Sequence, residues 1–138
     1  LEIEITETLL MEKSDSTLAT LNALRCLGVG ISLDDFGTGY SSLTYLRSFP
    51  FDKIKIDRSF VQSISTQPAS QAIVNAIVTL GSSLGMRVTA EGIEHVEELD
   101  YLRTAGCNEG QGYYFSEARP DGAFADVLQT GRQRSAAA

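Results

Sequence analysis

Cysteine is scarce in this 138-residue chain: Cys26 and Cys107 are the whole complement, and they do not form a CxxC pair. Two thiols cannot build a disulfide framework, so a reducing compartment is expected and the localisation is read as cytoplasmic. Histidine is scarcer still, with His95 alone, which argues against a histidine-built zinc site. Basic residues are outnumbered, 11 against 18 acidic ones, giving a net charge of −7. A chain so acidic does not grip polymeric nucleic acid through a basic face. A small phosphorylated ligand stays open, because bound cations invert the local sign. No apolar run approaches the roughly 18 residues of a membrane span, and no signal peptide is visible. What remains is ordinary globular material, with 43% hydrophobic and 21% charged residues. One domain is the default at this length, large enough to bury a core without staples.

Short β patterns alternate with helical periods. Leu1 to Thr6 alternates apolar and acidic residues and reads as a strand. Asp15 or Ser16 caps a helix carrying Leu18, Leu21, Leu24 and Leu27, stopped by Gly28. Val29 to Leu33 is a second strand ending on Asp34-Asp35, followed by a glycine loop and a short helix with Leu43 and Leu46. Lys53 to Asp57 alternates as a third strand, and Pro68 to Leu84 is a helix with Ile73, Ile77, Leu80 and Leu84 on one face. Met86 to Ala90 is a fourth strand, and Val96, Leu99 and Leu102 mark a helix begun at His95 and closed by Gly106. Gly110 to Phe115 reads as the last strand and Pro120 to Leu128 as the last helix. Cys26, Cys107, Met11, Met86 and the aromatic run Tyr113 to Phe115 read as packing residues. About five βα units imply parallel strands with right-handed crossovers. An open doubly wound sheet and an arc of a (βα)8 barrel both fit. A whole barrel takes about 250 residues.

The strands finish at Glu4/Glu7, Asp34-Asp35, Lys55/Asp57, Glu91/Glu94 and a segment bearing Gln111. Parallel α/β folds bind ligands at the carboxyl ends of their strands. Converging carboxylates repel one another unless cations intervene, and an oxygen-rich set without histidine suits Mg²⁺ or Mn²⁺. A lysine among them would orient water, and paired metals hydrolyse phosphodiesters. Each residue also has a plainer role. Strand-end acids commonly cap the next helix, and isolated lysines such as Lys53 and Lys55, or a glutamate such as Glu2, are commonly solvated.

Asp34-Asp35-Phe36-Gly37-Thr38-Gly39-Tyr40-Ser41-Ser42-Leu43 resembles the DDFGTGYSSL loop of EAL-domain cyclic di-GMP phosphodiesterases. Glu4-Ile5-Thr6-Glu7, Lys55-Ile56-Asp57-Arg58-Ser59-Phe60-Val61, Ala90-Glu91-Gly92-Ile93-Glu94 and Gln111 to Ser116 resemble that family's other motifs, in its order. The resemblance implies the C-terminal half of a TIM-like barrel, with residues 1–130 as part of an EAL domain and 131–138 as a disordered tail. It further implies hydrolysis of cyclic di-GMP to linear pGpG with two Mg²⁺ or Mn²⁺ ions. Glu4 and Asp34 would hold the first ion, Asp35 would lie at or between the two, and Asp57 near the second. Lys55 would hold the attacking water, and Glu91 would assist metal binding or act as base. Glu7 would brace the loop from Asp35 to Ser42, Glu94 would support the site, and Gln111 would sit near the nucleophile. Substrate contacts are not assigned.

The family's Glu-Ala-Leu segment does not occur in this sequence. Its asparagine ligand and substrate-phosphate arginine would also precede Leu1, and Glu117-Ala118-Arg119-Pro120 departs from the usual basic stretch. The chain therefore reads as a fragment that is inactive by itself and open at its barrel edges. A homo-oligomer through those edges is expected. The alternative is a non-catalytic EAL-derived binding or oligomerisation module.

Overall fold

The computed structural model describes residues 1–7, 9, 15–37, 46, 49 and 51–117. In chain order the elements are β1 (Glu2–Thr6), α1 (Asp15–Cys26), β2 (Gly30–Phe36), β3 (Lys53–Ile56), α2 (Arg58–Gln62), α3 (Pro68–Ser83), β4 (Arg87–Ala90), α4 (Val96–Ala105) and β5 (Glu109–Gly110). All neighbouring strands pair in parallel, in the sequential order β1-β2-β3-β4-β5. A doubly wound sheet reverses its strand order at a switch point. No reversal occurs here, so the sheet is an arc of a barrel.

Period-two alternation assigns the two faces. Ile5, Ile31, Leu33, Ile54, Ile56, Val88 and Ala90 are buried on the face that the helices cover. The opposite face carries Glu2, Glu4, Ser32, Asp34, Lys53, Lys55, Arg87, Thr89 and Glu109. A one-residue slip in any strand would exchange these sets.

The helix faces differ in part from the sequence pattern. In α1, Leu21 is buried and Leu24 packs on the core, but Leu18, and Leu27 just past the helix, are exposed. A spacing of three falls about 60° short of a full turn at each step, so the ends of such a row swing outward. Cys26, on the last turn, is exposed rather than packed. In α3 the buried face is Ser70, Val74, Ile77, Val78 and Gly81, with Leu84 exposed. Gly81 sets this rotation: a Cβ there would lie 2.5 Å from Val88 Cγ2, so the helix backbone rests directly on β4.

Two further differences bear on the site. Arg58–Gln62 forms a helix, α2, which five residues are too few to announce by periodicity. The last strand is only Glu109–Gly110; Gly112 to Phe115 turn instead, with Phe115 N–H donating to Gly112 O. Gln111 still follows β4, since its N–H donates to Ala90 O at 2.9 Å. Tyr113, Tyr114 and Phe115 are exposed, with the last two rings edge to face at 5.4 Å. Met86 is buried, as expected, and Leu46 is helical and buried. Met11, Leu43, the helix expected over 120–128 and the 131–138 tail lie outside the described residues. Among the described residues no helix is long and apolar enough to cross a membrane.

Candidate metal centre

Lys55 is the centre of the site. It is only 5% exposed, against the expectation of a solvated lysine. Its Nζ lies 2.7 Å from Glu4 Oε1, 3.1 Å from Asp34 Oδ1 and 2.6 Å from Glu91 Oε1. These partners stand on β1, on β2 and just past β4. The fold thus gathers onto one ammonium three carboxylates that are far apart in sequence. Burial disfavours the charge, but the bonds to Glu4, Glu91 and Asp34 outweigh it and hold the ammonium well above the usual lysine range.

Asp35 joins this group through a break in the strand. The β2–β3 register shifts between Leu33 and Phe36, and Asp35 has φ 53°. That left-handed conformation is one aspartate tolerates better than most residues, and the Asp35 N–H donates to Asp34 Oδ1 at 3.1 Å. The bulge lets adjacent carboxylates serve one site. Oxygens of Asp34, Asp35 and Glu91 all lie within 4.8 Å of one another. Partial burial and the neighbouring Asp34 and Asp57 carboxylates push the Asp35 carboxyl upward, with Lys55 opposing. Asp57 lies near enough to act on the Asp35 carboxyl and also caps α2, accepting from Ser59 N–H at 3.0 Å. The same side chain therefore caps a helix and borders the cluster.

The remaining site candidates surround the cluster. Glu94 accepts from Gln62 Nε2 at 2.8 Å. Gln111 lines a cleft of about 210 Å³ with Arg58, Gln62, Glu91, Glu94 and Tyr113. Gly92, also in the lining, turns at φ 71° with a bare Cα against Arg58; a Cβ there would lie 2.5 Å from Arg58 Cβ. Glu7 is buried, with neither carboxylate oxygen hydrogen-bonded among the described residues. His95 precedes the first turn of α4, and its N–H and that of Glu94 both donate to Glu98 Oε2, at 3.0 and 2.8 Å.

Below the site lies a layer that residue-by-residue reading missed. Lys53 Nζ lies 3.1 Å from Glu2 Oε1 and 2.8 Å from Glu109 Oε2. Arg87 Nη1 adds a 2.8 Å contact to Glu109, and Thr89 Oγ1 donates to it at 3.0 Å. The signal was the i, i+2 repeat of Glu2/Glu4 and Lys53/Lys55 on facing strands. The hydrogen bond from Lys53 leads the causes that hold the Glu109 carboxyl below its ordinary value of 4.5. A lowered carboxyl stabilises the fold above its unfolded value and loses that contribution as pH falls through the lowered one. Glu109→Gln should therefore give a shallower fall in the urea midpoint of the metal-free chain between about pH 4.5 and 3. An unchanged acid limb would refute this.

The donor set fits divalent ions. Glu4, Asp34, Asp35, Asp57 and Glu91 against Lys55 leave four formal negative charges, the charge of two dications. All donors are oxygens, as Mg²⁺ and Mn²⁺ prefer. An ordered arc of βα units with such a set at its strand ends defines a barrel-type α/β module with a carboxylate cluster whose donors suit divalent metal ions. The chain belongs to the EAL domain family, whose model matches residues 1–118. RocR of Pseudomonas aeruginosa, a cyclic di-GMP phosphodiesterase, is 46% identical over 123 residues, covering 89% of this chain and 31% of RocR. The P. aeruginosa MucR phosphodiesterase in its c-di-GMP complex superposes with TM-score 0.85 at 42% identity, over 90% of this chain and 50% of that one. Klebsiella pneumoniae BlrP1 with manganese and c-di-GMP gives TM-score 0.78 at 41% identity, over 84% of this chain and 30% of that one. The chain spans 15% to 31% of the length of the curated relatives it matches.

Proposed function

We propose that this chain supplies the later-strand carboxylates of a two-metal centre that hydrolyses cyclic di-GMP to linear pGpG, and that these 138 residues alone do not turn over. The observation that carries the reading is the convergence of Glu4, Asp34 and Glu91 on buried Lys55, with Asp35 at ligand distance from two of them. Glu4 and Asp34 would hold one Mg²⁺ or Mn²⁺, Asp57 a second, and Asp35 would serve both, with Glu91 assisting. When bound, such ions neutralise phosphate charge and lower the pKa of water. Lys55 positions the attacking water by donating to it, and Glu91 is placed to accept its proton. Gln111 lines the same cleft as Glu91, which supports a place near the nucleophile. Glu94 steadies that wall through Gln62, and Glu7 braces the loop that begins at Asp35.

The resemblance places further ligands on a Glu-Ala-Leu segment and an asparagine that this sequence does not contain, which supports inactivity of the chain by itself. β1 and β5 each pair on one side only among the described residues. Such edges favour self-association, and a monodisperse monomer in solution scattering would refute that part. The decisive experiment incubates the chain with cyclic di-GMP and Mn²⁺ and follows pGpG by chromatography. No turnover from folded chain that binds Mn²⁺ is expected. Turnover abolished by Glu91→Ala would overturn the claim of inactivity. A pure binding module would instead take up the nucleotide equally well with and without Mg²⁺.

A further inference from the structure

An ammonium group has three N–H donors and no acceptor. At Lys55 all three have carboxylate partners, Glu4, Asp34 and Glu91, at 2.6 to 3.1 Å. Two of those carboxylates, Asp34 and Glu91, are also members of the triad whose oxygens converge with Asp35. Two of the carboxylates that would face a dication are therefore already facing an ammonium. In this arrangement Lys55 has no donor left for a water molecule, and its near-complete burial keeps it from swinging into solvent.

We propose that Lys55 is the resident counter-cation of the metal-free cluster. Divalent ions load by taking Asp34 and Glu91 from it, and only this exchange frees N–H donors to hold water. Lys55 is in this respect a positioning residue switched on by metal, and the inference rests on the metal reading above. The physics is a competition between cations for shared carboxylates. Without any cation, four crowded carboxylates repel one another. With the ammonium, the cluster is held together but blocked. With a dication, the attraction to each oxygen doubles, and the ammonium gives way. The arrangement keeps the apo fold intact while tying readiness for chemistry to metal occupancy.

The test compares Lys55→Met with the unmodified chain by Mn²⁺ calorimetry and urea unfolding. Removing the competitor should tighten Mn²⁺ binding about tenfold while lowering the metal-free unfolding midpoint. Lys55→Arg, which keeps the charge, should stay near the unmodified affinity. Equal or weaker Mn²⁺ binding by folded Lys55→Met would overturn the proposal. Should that variant not fold, the unmodified chain decides: the Lys55 ammonium resonance in ¹H–¹⁵N spectra should be protected without Mg²⁺ and should shift and exchange faster as Mg²⁺ is added. A resonance unchanged at saturating Mg²⁺ would overturn the competition while leaving the metal centre standing. No heat of Mg²⁺ or Mn²⁺ binding by any folded form would remove the metal reading, and this inference with it.

Discussion

Replacing Asp34 by alanine should cost the chain both its metal and part of its fold, whereas asparagine at the same position should cost only the metal. Asp34 does three things at once. It offers an oxygen to the triad with Asp35 and Glu91, it faces Lys55 at 3.1 Å, and its Oδ1 accepts the Asp35 N–H inside the bulge. Asparagine keeps a carbonyl oxygen for the bulge but loses the charge that a dication requires. Alanine loses everything, leaving a left-handed Asp35 without its local restraint. Removing an anionic ligand should weaken Mn²⁺ binding about a hundredfold or more in both variants, at least as much as losing a group that merely supports a ligand. Only Asp34→Ala should also lower the thermal midpoint of the metal-free chain markedly. Calorimetry and thermal unfolding on the same two proteins separate these effects. Equal midpoints for the two variants would show that the bulge holds itself without Asp34.

Gly112→Ala should be the most destabilising glycine substitution among the described residues. A Cβ at that position would lie 2.2 Å from Ile93 O and 2.3 Å from Ile93 N. Those are backbone atoms, and they are engaged: Ile93 N–H donates to Gln111 O at 3.1 Å, and Ile93 O accepts from Tyr114 N–H at 2.9 Å. No side chain can rotate away to make room, so the two segments must separate and both hydrogen bonds must stretch. A loss of about 3 kcal/mol or more is expected, at the severe end for overpacking. That corresponds to roughly 10 °C in thermal midpoint. A midpoint within about 2 °C of the unmodified chain would mean that the segments part freely. Because Gln111 and Glu91 line the same cleft, the change should also disturb the site from behind.

The alternation of isoleucine with charge made β1 and β3 legible, and the Asp34-Asp35 pair before a glycine loop marked the site. Local periodicity carried these because each strand has one apolar and one polar face. Other features depended on distant partners. Lys55 resembles any strand lysine until β1, β2 and β4 bring their carboxylates to it. The bulge at Asp35 is a matter of register between β2 and β3, which composition does not encode. Asp57 was expected both as a strand-end cap and as a ligand by resemblance, and its side chain indeed caps α2 while meeting Asp35. The aromatic run at Tyr113 suggested a strand by propensity, but the close approach of Gly112 to Ile93 turns the chain there instead. β propensity describes a fit to a pleated surface, and no pleated surface continues at that point.

Lys53 stands in the middle strand and reaches both outermost ones, Glu2 on β1 and Glu109 on β5. Each contact crosses two strand spacings, about 10 Å, and both pull toward the same face. The pair acts as the string of a bow whose stave is the sheet. Above it, Glu4 faces Glu91 across Lys55. The curvature of the sheet around the carboxylate cluster is thus held in part by side chains that do not belong to it.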